Sequence, residues 1–283
     1  LPLLDDEGRI RSTLKQTVTA TGRISSAEPN LQNIPVRTEI GREIRKMFVS
    51  KDGHLLVGAD YSQIELRVLA HMAEDKVMQD AFINDDDIHT ITATQVFNVP
   101  DFLVTDDMRS RAKTVNFGII YGQSEFSLAG ELKISRKEAK EYIDSYFAHY
   151  SGVKNYMDST IEKAKKDGFV TTVFGRRRYI PELQAKNFNL RSFGERAAMN
   201  APIQGTAADI IKIAMVKVYD ALLKKCPEAK LILQVHDELI CEVPEAQAET
   251  VAQILKEEME NAVKLSVPLR ADVKIGKSWF DTK

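Results

Sequence analysis

The chain has 283 residues, 43% hydrophobic and 28% charged, which is enough apolar sequence for a packed core and excludes wholesale disorder. With 39 Lys+Arg against 41 Asp+Glu the net charge is −2, so a uniformly basic coat is excluded and any nucleic-acid surface has to be a local basic patch. Two cysteines, Cys226 and Cys241, exclude a disulfide framework or a four-cysteine zinc site and fit a reducing compartment.

The length suggests one large domain or two intimate ones. No apolar run reaches the roughly 18–20 residues of a membrane span. The acidic start Leu1-Pro2-Leu3-Leu4-Asp5-Asp6-Glu7 lacks the basic region of a signal peptide. Starting at Leu rather than Met, the chain reads as a piece of a longer polypeptide or one whose front was removed.

Residues 8–24 alternate and carry Thr and Val between Gly8 and Gly22, which predicts a β-hairpin, and 25–37 read as a polar loop with two prolines. His54 to Asp60 is a short buried strand. It leads into a helix from about Gln63 to Ala73, with apolar residues at 64, 66, 69, 70 and 72. Helices follow near 75–83 and 88–97. Thr105 followed by Asp106 and Asp107 opens another, through about Ile120. Ser135 and Glu138 form a capping box that starts a helix to about His149, and a further helix spans about 152–167 and stops at Gly168.

Phe169 to Ile180 reads as strand with a turn at Gly175. Helical patterning over 191–225 is interrupted by Pro202 and Gly205. Lys230 to Val243 is an apolar hairpin with His236-Asp237 at its tip. Pro244 starts a helix to about Leu265, and 270–276 is a last strand. The class is α+β, an antiparallel sheet with helices around it.

Asp60 closes an apolar strand, and Asp237 sits at the turn between two apolar half-strands. Singly, each reads as a turn residue or helix cap. Together, two carboxylates at adjacent strand ends can bridge two Mg²⁺ ions about 4 Å apart. Arg109, Lys113, Phe117 and Tyr121 recur every four residues, in one helical stripe about 120° wide. The stripe is either a solvated cationic end with a core-facing aromatic end, or a nucleotide platform in which cations meet a triphosphate and a ring meets a base. Gly118 and Gly122 add places where a backbone or base could approach closely.

Arg176-Arg177-Arg178-Tyr179 is one basic cluster, and Arg23, Arg37, Arg42, Arg45 and Lys46 are another concentration. Each is a solvated face or a phosphate grip. Asn30, Gln32 and Asn33 in the polar loop could bond base edges or backbone. The five histidines show no zinc spacing. Gly276-Lys277-Ser278 is not a P-loop, because position 271 is Ala rather than Gly.

Taken together, these motifs resemble family A DNA polymerases. DYSQIELRVLAH (Asp60 to His71) resembles the family's first catalytic motif, RSRAKTVNFGIIYG (Arg109 to Gly122) its fingers helix, and QVHDE (Gln234 to Glu238) its second carboxylate motif. Thr19 to Arg37 and Glu195 to Asp209 resemble its template-primer segments, and all five come in the family's order.

The resemblance implies an antiparallel palm sheet in residues 1–74 and 191–283, with an inserted, mostly helical fingers subdomain at 75–190. A thumb and an exonuclease domain are expected to be absent. It implies template-directed DNA polymerisation with two Mg²⁺ ions, on primer-template DNA and dNTPs, by a monomer without membrane contact in a bacterial cytoplasm. Asp60, Asp237 and Lys113 would be catalytic, and Asp60, the Tyr61 carbonyl and Asp237 would hold metal, with Glu238 beside it. Gln63, Ile64, Glu65, His89, Arg109, Lys113, Phe117 and Tyr121 would bind dNTP, Glu65 as the sugar gate. Arg23, Asn30, Asn33, Arg37, Arg196, Asn200, Gln204 and His236 would contact DNA. The rivals are a single-subunit RNA polymerase, against which Glu65 and Phe117 argue, and a catalytically silent nucleic-acid-binding fragment left without its thumb.

Overall fold

A computed structural model of the chain describes residues 3–35 and 39–283. In chain order its regular elements begin with β1 (Thr13–Lys15), β2 (Ser25–Ala27), α1 (Glu39–Arg45), β3 (His54–Tyr61) and α2 (Ile64–Ala73). A helical run follows: α3 (Lys76–Ile83), α4 (Ile88–Phe97), α5 (Asp106–Ile120), α6 (Glu125–Leu132), α7 (Arg136–His149) and α8 (Ser151–Asp167). The chain continues through β4 (Phe169–Thr171), β5 (Arg177–Tyr179), α9 (Phe188–Lys225), β6 (Lys230–Val235), β7 (Glu238–Pro244), α10 (Ala248–Glu260) and β8 (Ala271–Gly276).

Two compact units result. The first takes the residues up to Ile64, Ala207–Lys264 and Leu269–Lys283, and the second takes Glu65–Thr206 with Leu265–Pro268. In the first, a four-stranded antiparallel sheet runs β6-β7-β3-β8. β3 is central and buried because its run Leu55-Leu56-Val57-Gly58-Ala59 is apolar on both faces. α10 packs on β3 and β8 through Val251, Leu255 and Met259, all fully buried. Leu56, Val235, Ile240 and Trp279 form a second patch of core, with Phe48 edge-on to Trp279.

In the second unit, α4 packs on α5 and α7, and α6 on α7. The β4–β5 hairpin meets α9 through Val170, Ile180, Ala197, Ala198 and Ala201. Both halves of the Ser135/Glu138 capping box form, and Thr105 caps α5 through Met108 N. Among the described residues no helix is long and apolar enough to cross a membrane, and both cysteines are free and buried.

Four expectations change. The first hairpin pairs Thr13–Lys15 with Ser25–Ala27, so its second strand lies in what reads as polar loop. Ser26 is buried there and its hydroxyl meets Ser12 Oγ at 2.6 Å and accepts from Leu31 N. Side-chain hydroxyls do the work that apolar residues usually signal. The helix expected to be interrupted at Pro202 and Gly205 is one 38-residue helix, α9. Pro202 removes one backbone bond at a cost of about 3 kcal/mol, which the buried alanines around it offset.

α10 ends at Glu260 rather than near Leu265. Asn261 caps it, its backbone N–H donating to Glu257 O. Finally, α1 and α6 were not anticipated. The buried residues of α1 are Gly41 and Arg45, so its inner face carries no apolar stripe to read.

Candidate active site

In the first unit, β3 runs antiparallel to β7 from His54↔Pro244 to Asp60↔Glu238. The partner directly across from Asp60 is thus Glu238, and Asp237 sits one residue earlier, in the two-residue turn. His236 takes a left-handed φ of 55°, which the tight turn requires. Asp237 O accepts from Tyr61 N at 3.1 Å, which ties the turn to the end of β3. Gln234 Nε2 donates to His236 O at 2.7 Å, and Gln32 Nε2 donates to Gln234 O at 3.1 Å.

The two aspartates lie close enough for their charges to interact. Burial pushes the Asp237 carboxyl up to about 7, and the neighbouring Asp60 charge adds to this, while Lys283 pulls the other way. Asp60 Oδ2 takes Lys283 Nζ at 2.9 Å. Asp60 Oδ1 is buried and finds no donor among the described residues.

Glu238 is fully buried. Trp279 Nε1 donates to its Oε1 at 3.3 Å, Lys283 Nζ to its Oε2 at 3.3 Å, and Arg45 Nη1 lies 3.9 Å from Oε2. Arg45 is itself buried, its guanidinium 4.1 Å over the Trp279 ring. Burial raises the Glu238 carboxyl, and it depresses the Arg45 guanidinium against the pull of Glu238 and Asp60. Arg45 is therefore neither solvated nor free to grip a phosphate, the two readings open for that basic concentration, but an internal counter-ion. Trp279 and Lys283 were not anticipated at all. The only signal was a tryptophan and a lysine in a polar tail.

The remaining first-unit candidates are spread around this centre. Asn30 caps the short turn Leu31–Asn33, its side chain accepting from Gln32 N at 3.0 Å, so that oxygen serves the fold. Asn33 and His236 are exposed. Arg23 adds positive charge near His236. Gln63 has a positive φ of 54° at the β3–α2 junction and a buried, unpartnered Oε1, and Ile64 is buried. Arg37 lies outside the described residues.

In the second unit, α5 carries the cationic and aromatic stripe. Arg109 and Lys113 are exposed. Phe117 and Tyr121 lie ring to ring at 6.3 Å and 30°, and His89 is 6.1 Å from Phe117. Tyr121 Oη donates to Glu65 Oε2 at 3.1 Å, and Glu65 is buried in the first turn of α2. Arg109 Nε donates to Asp87 Oδ2 at 2.5 Å, while Asp87 Oδ1 caps α4 through His89 N and Thr90 N. Asp87 was not among the candidates, although the helix start it caps was legible.

Gly122 has φ +65°, and a Cβ there would lie 2.4 Å from Met199 Cε and 3.0 Å from Arg196 Cγ. The room at Gly122 is used by the chain's own α9. Arg196, Asn200 and Gln204 lie at i, i+4 and i+8 on α9, in one stripe. Arg196 Nη1 donates to Ser192 Oγ at 3.0 Å, and Asn200 Oδ1 is buried without a partner. Two arginines of the 176–178 cluster serve the fold: Arg176 bonds Gly205 O at 2.9 Å, and Arg177 stacks over Phe169.

A family profile described as DNA polymerase family A matches residues 1–281. The DNA polymerase I of Caldicellulosiruptor bescii is 55% identical over 276 residues, which is 98% of this chain and 32% of that protein. That of Bacillus subtilis is 53% identical over 279 residues, in the same proportions. The chain thus spans about a third of the length of these relatives. Among solved structures, the POL domain of Pol1 from M. smegmatis, in complex with DNA primer-template and dNTP, superposes with a TM-score of 0.95 at 47% identity. The match covers 99% of this chain and 50% of that one.

Proposed function

The chain belongs to DNA polymerase family A, and from that membership we propose that it carries the nucleotidyl-transfer centre of a template-directed DNA polymerase. The observation that supports this best is the pair of carboxylates, Asp60 and Asp237, brought together by the β3–β7 ladder, where burial and the Asp60 charge raise the Asp237 carboxyl despite Lys283. The M. smegmatis neighbour, titled as a complex with primer-template and dNTP, points to the same substrates. In this reading residues 1–74 and 191–283 are palm and 75–190 are fingers.

The donor set suits a hard divalent cation. Asp60 Oδ1 is an orphaned, buried anionic oxygen, and Asp237 resists ionising beside Asp60 until a cation arrives. Asp60, Asp237 and the Tyr61 carbonyl would hold two Mg²⁺ ions. When bound, these supply Lewis-acid activation of the primer 3′-hydroxyl and charge compensation at the triphosphate.

The chain's own residues do the rest. Arg109 and Lys113 provide the cationic clamp for the triphosphate, and Phe117 offers a ring face to the incoming nucleotide. Glu65, held by Tyr121 Oη, places a carboxylate where a 2′-hydroxyl would need room. Arg23, Asn30, Asn33, Arg37, Arg196, Asn200, Gln204 and His236 remain the assigned DNA contacts. Hydrogen bonds to minor-groove acceptors common to all correct pairs check geometry rather than sequence.

Primer extension at low ionic strength, with Mg²⁺ and dNTPs, tests the reading on wild type, Asp60→Ala and Asp237→Ala. Extension by the wild type alone is expected. Equal extension by all three would refute the assigned chemistry, and a preference for NTPs over dNTPs would move the chain to the RNA-polymerase reading.

A further inference from the structure

A line of hydrogen bonds runs in one direction from β2 to the turn that carries Asp237. Ser26 N donates to Gln32 Oε1 at 3.2 Å. Gln32 Nε2 donates to Gln234 O at 3.1 Å and to Gln234 Oε1 at 3.2 Å. Gln234 is buried, and its Nε2 donates to His236 O at 2.7 Å. A backbone N–H only donates and a backbone carbonyl only accepts. Ser26 N and Gln234 O therefore fix which end of the Gln32 amide is oxygen. His236 O and Gln32 Nε2 fix Gln234 in the same way, so neither amide can turn over. Gln32 spends both of its N–H groups inside the fold and has none left to donate to a base edge.

The line ends on the peptide that enters Asp237. The β6–β7 ladder stops at Val235↔Glu238, so the carbonyls of His236 and Asp237 fall in the turn, outside it. Gln234 Nε2 holds the first of them, and Tyr61 N holds the second at 3.1 Å. A peptide unit is planar, so pinning the carbonyl on each side of the Asp237 Cα fixes its φ and ψ and with them the direction of its side chain. The β3–β7 ladder sets where the turn lies, and the glutamines set how Asp237 is turned within it. We propose that Gln32 is a positioning residue that acts through Gln234 to aim the Asp237 carboxyl, and so ties that carboxyl to the segment carrying the assigned DNA contacts Asn30 and Asn33. The proposal rests on the reading of Asp237 as a metal-holding carboxylate and adds the group that orients it.

The test is amide hydrogen exchange of the chain alone, read by NMR at Tyr61 N, which donates to Asp237 O, and at Val57 in the middle of β3. Gln32→Met removes the amide at similar length. It should speed exchange at Tyr61 about tenfold and leave Val57 unchanged. Equal acceleration at both would mark Gln32 as merely structural, and no change at either would free the turn from it; each result overturns the proposal. In primer extension the same variant should lower kcat about tenfold with the KM values for DNA and dNTP little changed. An unmoved kcat, or a raised DNA KM alone, would make Gln32 a fold or DNA contact instead. Gln234→Met should give the same loss, and the double variant no more than either single, because the two act in series. Losses that add would refute the relay. Should Gln32→Met not fold, Gln32→Glu keeps the acceptor for Ser26 N, loses only the donor, and is read by the same exchange. The exchange needs no activity, so its failure is distinct from failure of the polymerase reading, which shows as a wild type no more active than Asp237→Ala.

Discussion

The indole N–H of Trp279 donates to Glu238 Oε1 across 3.3 Å, both residues almost wholly buried, and the Arg45 guanidinium lies 4.1 Å over the indole ring. A carboxylate held this way loses heavily when one donor goes. Trp279→Phe keeps a ring under Arg45 but removes the N–H, and should cost about 1–3 kcal/mol in urea unfolding at neutral pH. Arg45→Met removes the buried counter-ion and should cost about 3–5 kcal/mol.

Glu65 and Tyr121 make a second prediction. On the proposed reading of Glu65, Glu65→Ala should leave room for a 2′-hydroxyl. The ratio of kcat/KM for NTP to that for dNTP should rise about ten- to a hundredfold. Tyr121→Phe, which frees Glu65 from its hydroxyl partner, should raise it less. Paired single-nucleotide incorporation assays measure both.

The Asp237 carboxyl is raised to about 7 in the folded chain, against 3.8 for an ordinary aspartate. The folded state therefore holds a proton that the unfolded state releases, and stability falls as pH rises through that window. Asp237→Asn removes the charge and should stabilise the chain by about 1–3 kcal/mol at pH 8 in a chelating buffer. Extension should be abolished. A melting temperature at or below that of the wild type would contradict the electrostatic account.

His89 acts with the opposite sign. Its folded value of about 4 lies below the ordinary 6.5, so the unfolded chain takes up the proton first as pH falls. Its contribution is complete above about 6.5 and is lost toward 4, a loss of up to about 3 kcal/mol. Because Asp237 titrates in an overlapping window, the test is a difference. Wild type minus His89→Gln, followed by urea unfolding from pH 7 to 4.5, should decline with acidity.

Local pattern made much of this legible. The apolar run before Asp60, the capping box at Ser135 and Glu138, and the hairpin around His236-Asp237 all formed. Each is written within a dozen residues. What stayed hidden depends on pairs distant in sequence: Lys283 with Asp60, Trp279 with Glu238, and Asp87 with Arg109. No periodicity encodes such meetings. α1 was invisible for another reason, since its inward face is a glycine and an arginine. The strand at Ser25–Ala27 was hidden because hydroxyls replace apolar packing.

The seven paired positions from His54↔Pro244 to Asp60↔Glu238 work as a ruler. The gap between the Asp60 and Asp237 carboxylates is measured out in backbone hydrogen bonds, not in side-chain packing. Core residues along β3 and β7 can therefore drift in identity while the gap stays constant. Inserting or deleting one residue of β3 ahead of Asp60 would turn Asp60 to the other face of the sheet. The spacing tolerates substitution and forbids changes in length.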